Sequence, residues 1–207
     1  MTANNFIEQI ILLYQNARLI KYNDKKISRG RSHSISSSVE DLFANYLAGL
    51  NAEIDKILVD QPISVDRHTF YPDISIVRAN ELIAFFDIKM DLGWKRNELT
   101  NIFLNYKSKL ENIHGKIGTM RNGISKDKIE YKISNSAIYD IVLITDQNIN
   151  PAVLDKHLSN IGTNKYVQVH ILSKHKHPNS YGIKVSELMS EIVIDYAAFD
   201  DIKKRLN

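Results

Sequence analysis

Three charged residues stand out because their surroundings are apolar. Asp73 follows Pro72, and after thirteen intervening residues Asp87 and Lys89 flank Ile88 in the run Leu82–Met90. Charges are costly to place in such a run unless they have partners or work to do. In a strand, residues two apart share a face, so Asp87 and Lys89 must point the same way, with Ile83 and Phe85 expected behind them. Ala84, Phe86, Ile88 and Met90 form a wholly apolar opposite face. Two aspartates suit a hard divalent cation such as Mg²⁺, which prefers carboxylate oxygens and keeps several waters. Such an ion polarises a phosphate and lowers the pKa of a bound water. The Lys89 ammonium can orient that water and stabilise charge developing on phosphorus. The expected chemistry is hydrolysis of a phosphodiester with no covalent protein intermediate.

Asp73 joins this group only if the intervening hairpin allows it. With Ala79-Asn80-Glu81 as a three-residue loop, Arg78 faces Leu82 and Asp73 faces Asp87. An even loop sets Asp73 against Phe86, on the wrong side. The carboxylate pair therefore requires an odd loop or a bulge.

Pro72-Asp73, the spacing, and Asp87-Ile88-Lys89 on an apolar strand followed by a helix resemble the PD-(D/E)XK nuclease superfamily. The resemblance implies an α/β, restriction-endonuclease-like core with a central mixed sheet flanked by helices on both faces. It implies Mg²⁺-dependent phosphodiester cleavage, with one or two ions held by Asp73 and Asp87 and with Lys89 at the attacking water. Many members add an acidic residue from an upstream helix. Glu40 fits that order better than Glu53, although "SSVE" from Ser37 also reads as a capping box that would use Glu40 on its own helix.

The chain has 207 residues, 43% of them hydrophobic and 25% charged, with net charge +3. These values suit one α/β domain, and the mild basicity alone is weak support for a polyanionic partner. Without cysteine, disulfides, thiolate nucleophiles and Cys-based zinc sites are excluded. The N-terminal segment lacks a basic stretch ahead of its apolar residues and reads as a helix, not a signal peptide. No apolar run approaches a membrane span, so a cytoplasmic location is expected. No Walker or G-x-G-x-x-G loop supports a metabolic α/β enzyme.

Apolar spacing predicts helices over Phe6–Ala17, Val39–Leu50, Leu99–Ile113 with Asn97 as cap, a short one from Pro151, and one from Ser186 to Arg205. Strands are expected over Lys56–Val65, Phe70–Val77, Leu82–Met90, Ala137–Thr145 and Tyr166–Ser173. A helical part over about 1–55, a catalytic hairpin and sheet over about 56–175, and a C-terminal helix over about 186–205 then form a single domain. Residues 114–136 are left as a long basic connection. His170, His175 and His177 match no zinc spacing and are expected in an exposed loop. Asp91 is expected in solvent or a turn.

Beside a phosphodiester site, basic segments are candidates for phosphate contact. Lys25, Lys26, Arg29 and Arg31 lie in one, Lys116 and Arg121 in another, and Lys95, Arg96 and Asn97 follow the motif; Trp94 is a core anchor or packs on DNA. The size and the absence of helicase or methyltransferase motifs look like a stand-alone type II restriction endonuclease of a prokaryotic cell. That implies double-stranded DNA as substrate, a homodimer matching a two-fold site, and a cognate DNA methyltransferase in the same system. A repair, junction-resolving or other defence nuclease is the alternative within the superfamily, and a non-cleaving DNA-binding module the alternative outside catalysis.

Overall fold

The computed structural model describes every residue except Ile20, Asn51, Ala52, Trp94, Asn122 and Ile124; the sequence expectation for Trp94 lies outside the described residues. In chain order the elements are α1 (Ala3–Ala17), α2 (Ser36–Ala48), β1 (Lys56–Val59), β2 (Ile63–Val65), β3 (His68–Phe70), β4 (Ile74–Arg78), β5 (Glu81–Lys89), α3 (Leu99–Ile113), β6 (Ile117–Arg121), β7 (Lys128–Leu143), α4 (Pro151–Ile161), β8 (Val167–Ile171), β9 (Ser173–Lys174), α5 (Val185–Glu191), β10 (Val193–Ile194) and α6 (Tyr196–Leu206).

The sheet is mixed. β1, β4 and β5 run antiparallel to their neighbours, whereas β5, β7 and β8 are parallel. Parallel neighbours need a crossover, which α4 supplies between β7 and β8. Asn150 caps α4 by accepting from the Ala152 N–H at 2.9 Å, with Pro151 opening the helix, the order expected from sequence. Helices cover both faces. Phe6, Phe43, Leu188 and Phe199 from α1, α2, α5 and α6 pack on Ile74, Ile76, Ala84 and Phe86. Leu99, Phe103 and Leu154 from α3 and α4 pack on Phe85, Ile141 and Leu143. Among the described residues no helix is long and apolar enough to cross a membrane.

Several elements differ from the sequence expectation. Segment 114–136 is largely a hairpin: β6 and the first part of β7 pair from Ile117↔Lys132 to Arg121↔Lys128. It extends the sheet towards β2 and β3. Pro62 separates β1 from β2, and residues 71–73 separate β3 from β4, so two expected strands are four. The C-terminal helix is two. Ile192, Val193 and Ile194 favour extended backbone, and Asp195 restarts the helix by accepting from the Ala198 N–H at 3.1 Å. Asn97 is not the cap of α3, which begins after Glu98 without a side-chain cap. The capping box at α2 does not form either, since the helix starts at Ser36 with Ile35 before it.

His170 is buried on β8, not exposed in a loop. It lies 3.4 Å from Asp140, which is fully buried on β7 and paired with Arg205 through Nε at 3.0 Å and Nη2 at 2.7 Å. The Arg205 fork fits a carboxylate, so this polar cluster fastens α6 to the sheet.

The hairpin between β4 and β5 turns through only two residues. Ala79 and Asn80 have φ of 48° and 62°, the paired left-handed geometry of a tight hairpin turn. Asparagine tolerates that region, but alanine there costs ~1–2 kcal/mol. Ala79→Gly is therefore expected to raise the unfolding free energy by about 1 kcal/mol in urea titration.

Candidate active site

The even turn alone would put Asp73 on the wrong face. The pairing begins with Arg78↔Glu81 and Val77↔Leu82, then shifts to Ile76↔Ala84, Ser75↔Phe85 and Ile74↔Phe86. Ile83 is the extra residue, a bulge. Continued by one residue, this register sets Asp73 across from Asp87. The bulge also changes the expected facing: Ile83 packs with Ala84 and Phe86 on the α1/α2 side, and Leu82 takes the place behind Phe85. Phe85 and the parallel partners of Asp87 and Lys89, Ile141 and Leu143, place both charges on the α3 side of the sheet.

β4 begins only after Asp73, and the Ile88 N–H donates to Asp73 Oδ2 at 2.5 Å. Asp87 is 3% exposed. Its Oδ1 accepts from Lys89 Nζ at 2.6 Å, and its Oδ2 is buried with no hydrogen-bond partner. Burial pushes the Asp73 carboxyl up to about 6; the Ile88 N–H and Lys89 oppose this, and Asp87 and Glu40 add to it.

Glu40 enters from α2. Burial raises its carboxyl above the usual range, Asp60, Asp41 and Asp87 raise it further, and Lys89 pulls it down. The same four groups that the sequence singled out therefore act on one another. Among the described residues no group of three or more His, Asp or Glu side chains is arranged to hold a metal ion, so Glu40, Asp73 and Asp87 do not together form such a set. The pair formed by Asp73 and Asp87 fits Mg²⁺ on two grounds: one carboxylate oxygen is buried without a partner, and the other carboxyl is destabilised by its neighbour's charge. A cation relieves both, and waters would complete its coordination.

Two residues of α3 were missed as site residues. The Tyr106 hydroxyl faces Asp87; burial first and the Asp87 charge next keep it protonated well above the usual phenol range. Its ring stacks on Tyr139 with centroids 4.1 Å apart. Lys109 Nζ lies 5.5 Å from the ring centres of Phe70 and Tyr106. Burial lowers its pKa, against the pull of Asp87. The signal was a lysine three residues after Tyr106, next to the apolar stripe of a helix. Asp60, at a left-handed turn (φ 47°), is a further carboxylate facing Glu40.

Asp91 is not a free strand end. It accepts from the Gly93 N–H at 2.7 Å, from Asn148 at 2.9 Å and from His177 Nε2 at 3.0 Å. His177 Nδ1 accepts from the Asn179 N–H at 2.8 Å, so the ring proton sits on Nε2. His177 thereby ties the 177–181 loop to the end of β5.

The candidate DNA contacts divide. Lys25, Lys26, Arg29 and Arg31 are exposed in the segment after α1, and Lys95, Arg96 and Asn97 in the turn before α3. Arg96 is engaged locally, donating to the Gly93 carbonyl at 2.9 and 3.0 Å. Lys116 pairs with Asp66 at 2.9 Å. Arg121 is exposed at the end of β6, at the tip of the added hairpin. No family model, curated protein or solved structure matches the chain.

Proposed function

We propose that the protein is a Mg²⁺-dependent DNA endonuclease with a restriction-endonuclease-like core. The observation that carries this reading is the bulged hairpin, which sets Asp73 across from Asp87 beside Lys89 and leaves an Asp87 oxygen buried without a partner. A structural ion pair would need one aspartate, not two, and buried pairs seldom repay their desolvation. The sheet also supports the reading, since an antiparallel hairpin leading into parallel β5, β7 and β8 matches the mixed core that the resemblance implies.

Asp73 and Asp87 would hold the ion through carboxylate oxygens. When bound, Mg²⁺ supplies Lewis-acid polarisation of the phosphate and a more acidic water. Lys89 orients the attacking water and stabilises the negative charge that grows on the phosphoryl oxygens. Tyr106 keeps a protonated hydroxyl beside the Asp87 charge. Lys109, a second cation on the Asp87 side, helps neutralise the substrate phosphate. Lys109→Ala is expected to slow cleavage about tenfold, a share of the ~10²–10³-fold worth of a principal electrostatic group, with the loss read from single-turnover rates.

We assign the enzyme to sequence-specific cutting of double-stranded DNA as a type II restriction homodimer, accompanied by a DNA methyltransferase that protects host sites. A digest of long DNA with Mg²⁺, followed by end sequencing, tests this. Discrete fragments with one shared terminal sequence are expected. Uniform degradation or preference for branched DNA would transfer the reading to a repair or junction nuclease. Stable DNA binding with intact product would leave only a binding module.

A further inference from the structure

A cavity of about 440 Å³ lies between the end of α1 and the basic segment after it, a size within the ~300–1,000 Å³ of ligand sites. Its walls include Arg18, Lys21, Tyr22, Arg29, Arg31 and Tyr181, and no Asp or Glu among the described residues lines it. Tyr181 is 69% exposed. One of its ring faces is taken by the Arg18 guanidinium, 3.9 Å from the centroid.

This wall is built, not incidental. Arg18 Nη2 donates to the Asn179 carbonyl at 2.5 Å and Nη1 to the Ser180 carbonyl at 3.3 Å, which fixes the loop that carries Tyr181. Arg18 Nε is buried without a partner. Arg29 Nε donates to the Arg31 carbonyl at 2.7 Å, and its Nη1 reaches the Tyr22 hydroxyl at 3.4 Å. Lys21 and Arg31 take part in none of the ion pairs formed by the described residues. The same loop reaches the catalytic strand through the His177–Asp91 hydrogen bond, two residues beyond Lys89.

We propose that this cavity binds one unpaired nucleotide of a nucleic-acid strand, its base stacked between Tyr22 and the open face of Tyr181 and its phosphate held by Lys21 and Arg31. A simple anion would satisfy the cations and leave both rings in water. A duplex would offer phosphates while keeping its base faces stacked inside. An unpaired nucleotide uses both parts of the wall, because its exposed base face can stack on aromatic side chains while its phosphate meets the cations. That the bound nucleotide belongs to DNA held for cleavage rests on the proposed nuclease function; the binding itself does not.

The test is fluorescence anisotropy of a labelled eight-nucleotide oligo-dT with the full chain in EDTA, so that no cleavage intervenes. Binding at least tenfold tighter than to a blunt duplex of equal length is expected. Tyr181→Ala and Tyr22→Ala should each weaken oligo-dT binding about tenfold and leave duplex binding unchanged, while Tyr181→Phe retains it. Unchanged affinity in both alanine variants would overturn the proposal, as would displacement of the strand by equimolar inorganic phosphate. Oligo-dT binding by a protein that leaves long duplex DNA intact on adding Mg²⁺ would remove the nuclease reading and keep the nucleotide site; duplex cleavage without tyrosine-dependent oligo-dT binding would do the reverse.

Discussion

Under the proposed nuclease mechanism, Lys89→Met is expected to lower the rate of DNA cleavage by about 10²–10³-fold, the worth of one well-placed electrostatic stabiliser of a transition state, and to leave DNA affinity within a factor of three. The reason is positional. Lys89 Nζ lies 2.6 Å from Asp87 Oδ1, so the lysine shares with that carboxylate the place where the proposed mechanism brings water and phosphate together. Methionine keeps the stem and removes the charge. It also strips Asp87, 3% exposed, of its ion-pair partner, which destabilises the variant in EDTA. Mg²⁺ then raises its thermal midpoint more than that of the wild type, because the cation replaces the lost charge. Single-turnover kinetics and thermal melts with and without Mg²⁺ read both effects. A Lys89→Met protein that cuts within threefold of wild type would remove lysine from the mechanism.

Asp73→Asn is expected to abolish the proposed Mg²⁺-dependent cleavage and to make the apoprotein more stable at alkaline pH. Burial and the Asp87 charge push Asp73 from 3.8 to about 6. The folded chain therefore binds this proton more tightly than the unfolded chain does. The resulting stabilisation is complete below pH ~4 and lost as pH rises through about 6. At pH 8 the ionised Asp73 costs the native state ~1–3 kcal/mol, because each tenfold change in proton affinity is worth ~1.4 kcal/mol and solvent screens part of the effect. Asparagine mimics the neutral carboxyl and can still accept from the Ile88 N–H. Urea unfolding should show the variant more stable by that amount at pH 8 and equal to wild type near pH 4. Addition of Mg²⁺ should reverse the order, since only wild type offers both carboxylates. Equal stability at both pH values would refute the electrostatic account of the pair.

That a charged group costs stability where it serves function explains why so much of the site was readable beforehand. Asp87 and Lys89 are two apart in one strand, so their common face follows from backbone geometry alone. Asp73 depended on the turn. The requirement for an odd loop or a bulge could be stated from sequence, but not the choice between them. The left-handed Ala79-Asn80 turn and the bulge at Ile83 made that choice, and with it moved Ile83 to the other face. Tyr106 and Lys109 were hidden for a different reason. A helical stripe shows which residues face the sheet, not which strand residue each one meets. The hairpin formed by β6 and β7 was obscured by Gly, Asn and Ser in its composition, although Ile129, Tyr131 and Ile133 alternate as a half-buried strand does. In the C-terminal segment the helical spacing of flanking residues hid the break that Ile192–Asp195 imposes.

The central proposal is that two carboxylates and one lysine act together on a phosphodiester. The most direct measurement is cleavage of supercoiled plasmid by the wild-type chain and by Asp87→Asn across a Mg²⁺ titration, with EDTA as the zero point. The account predicts Mg²⁺-saturable conversion to linear product by the wild type, none in EDTA, and a loss of about 10³-fold or more in the variant, comparable to the removal of a principal catalytic group. Cleavage by Asp87→Asn at the wild-type rate, or an inert wild type that binds DNA at every Mg²⁺ concentration, would contradict it.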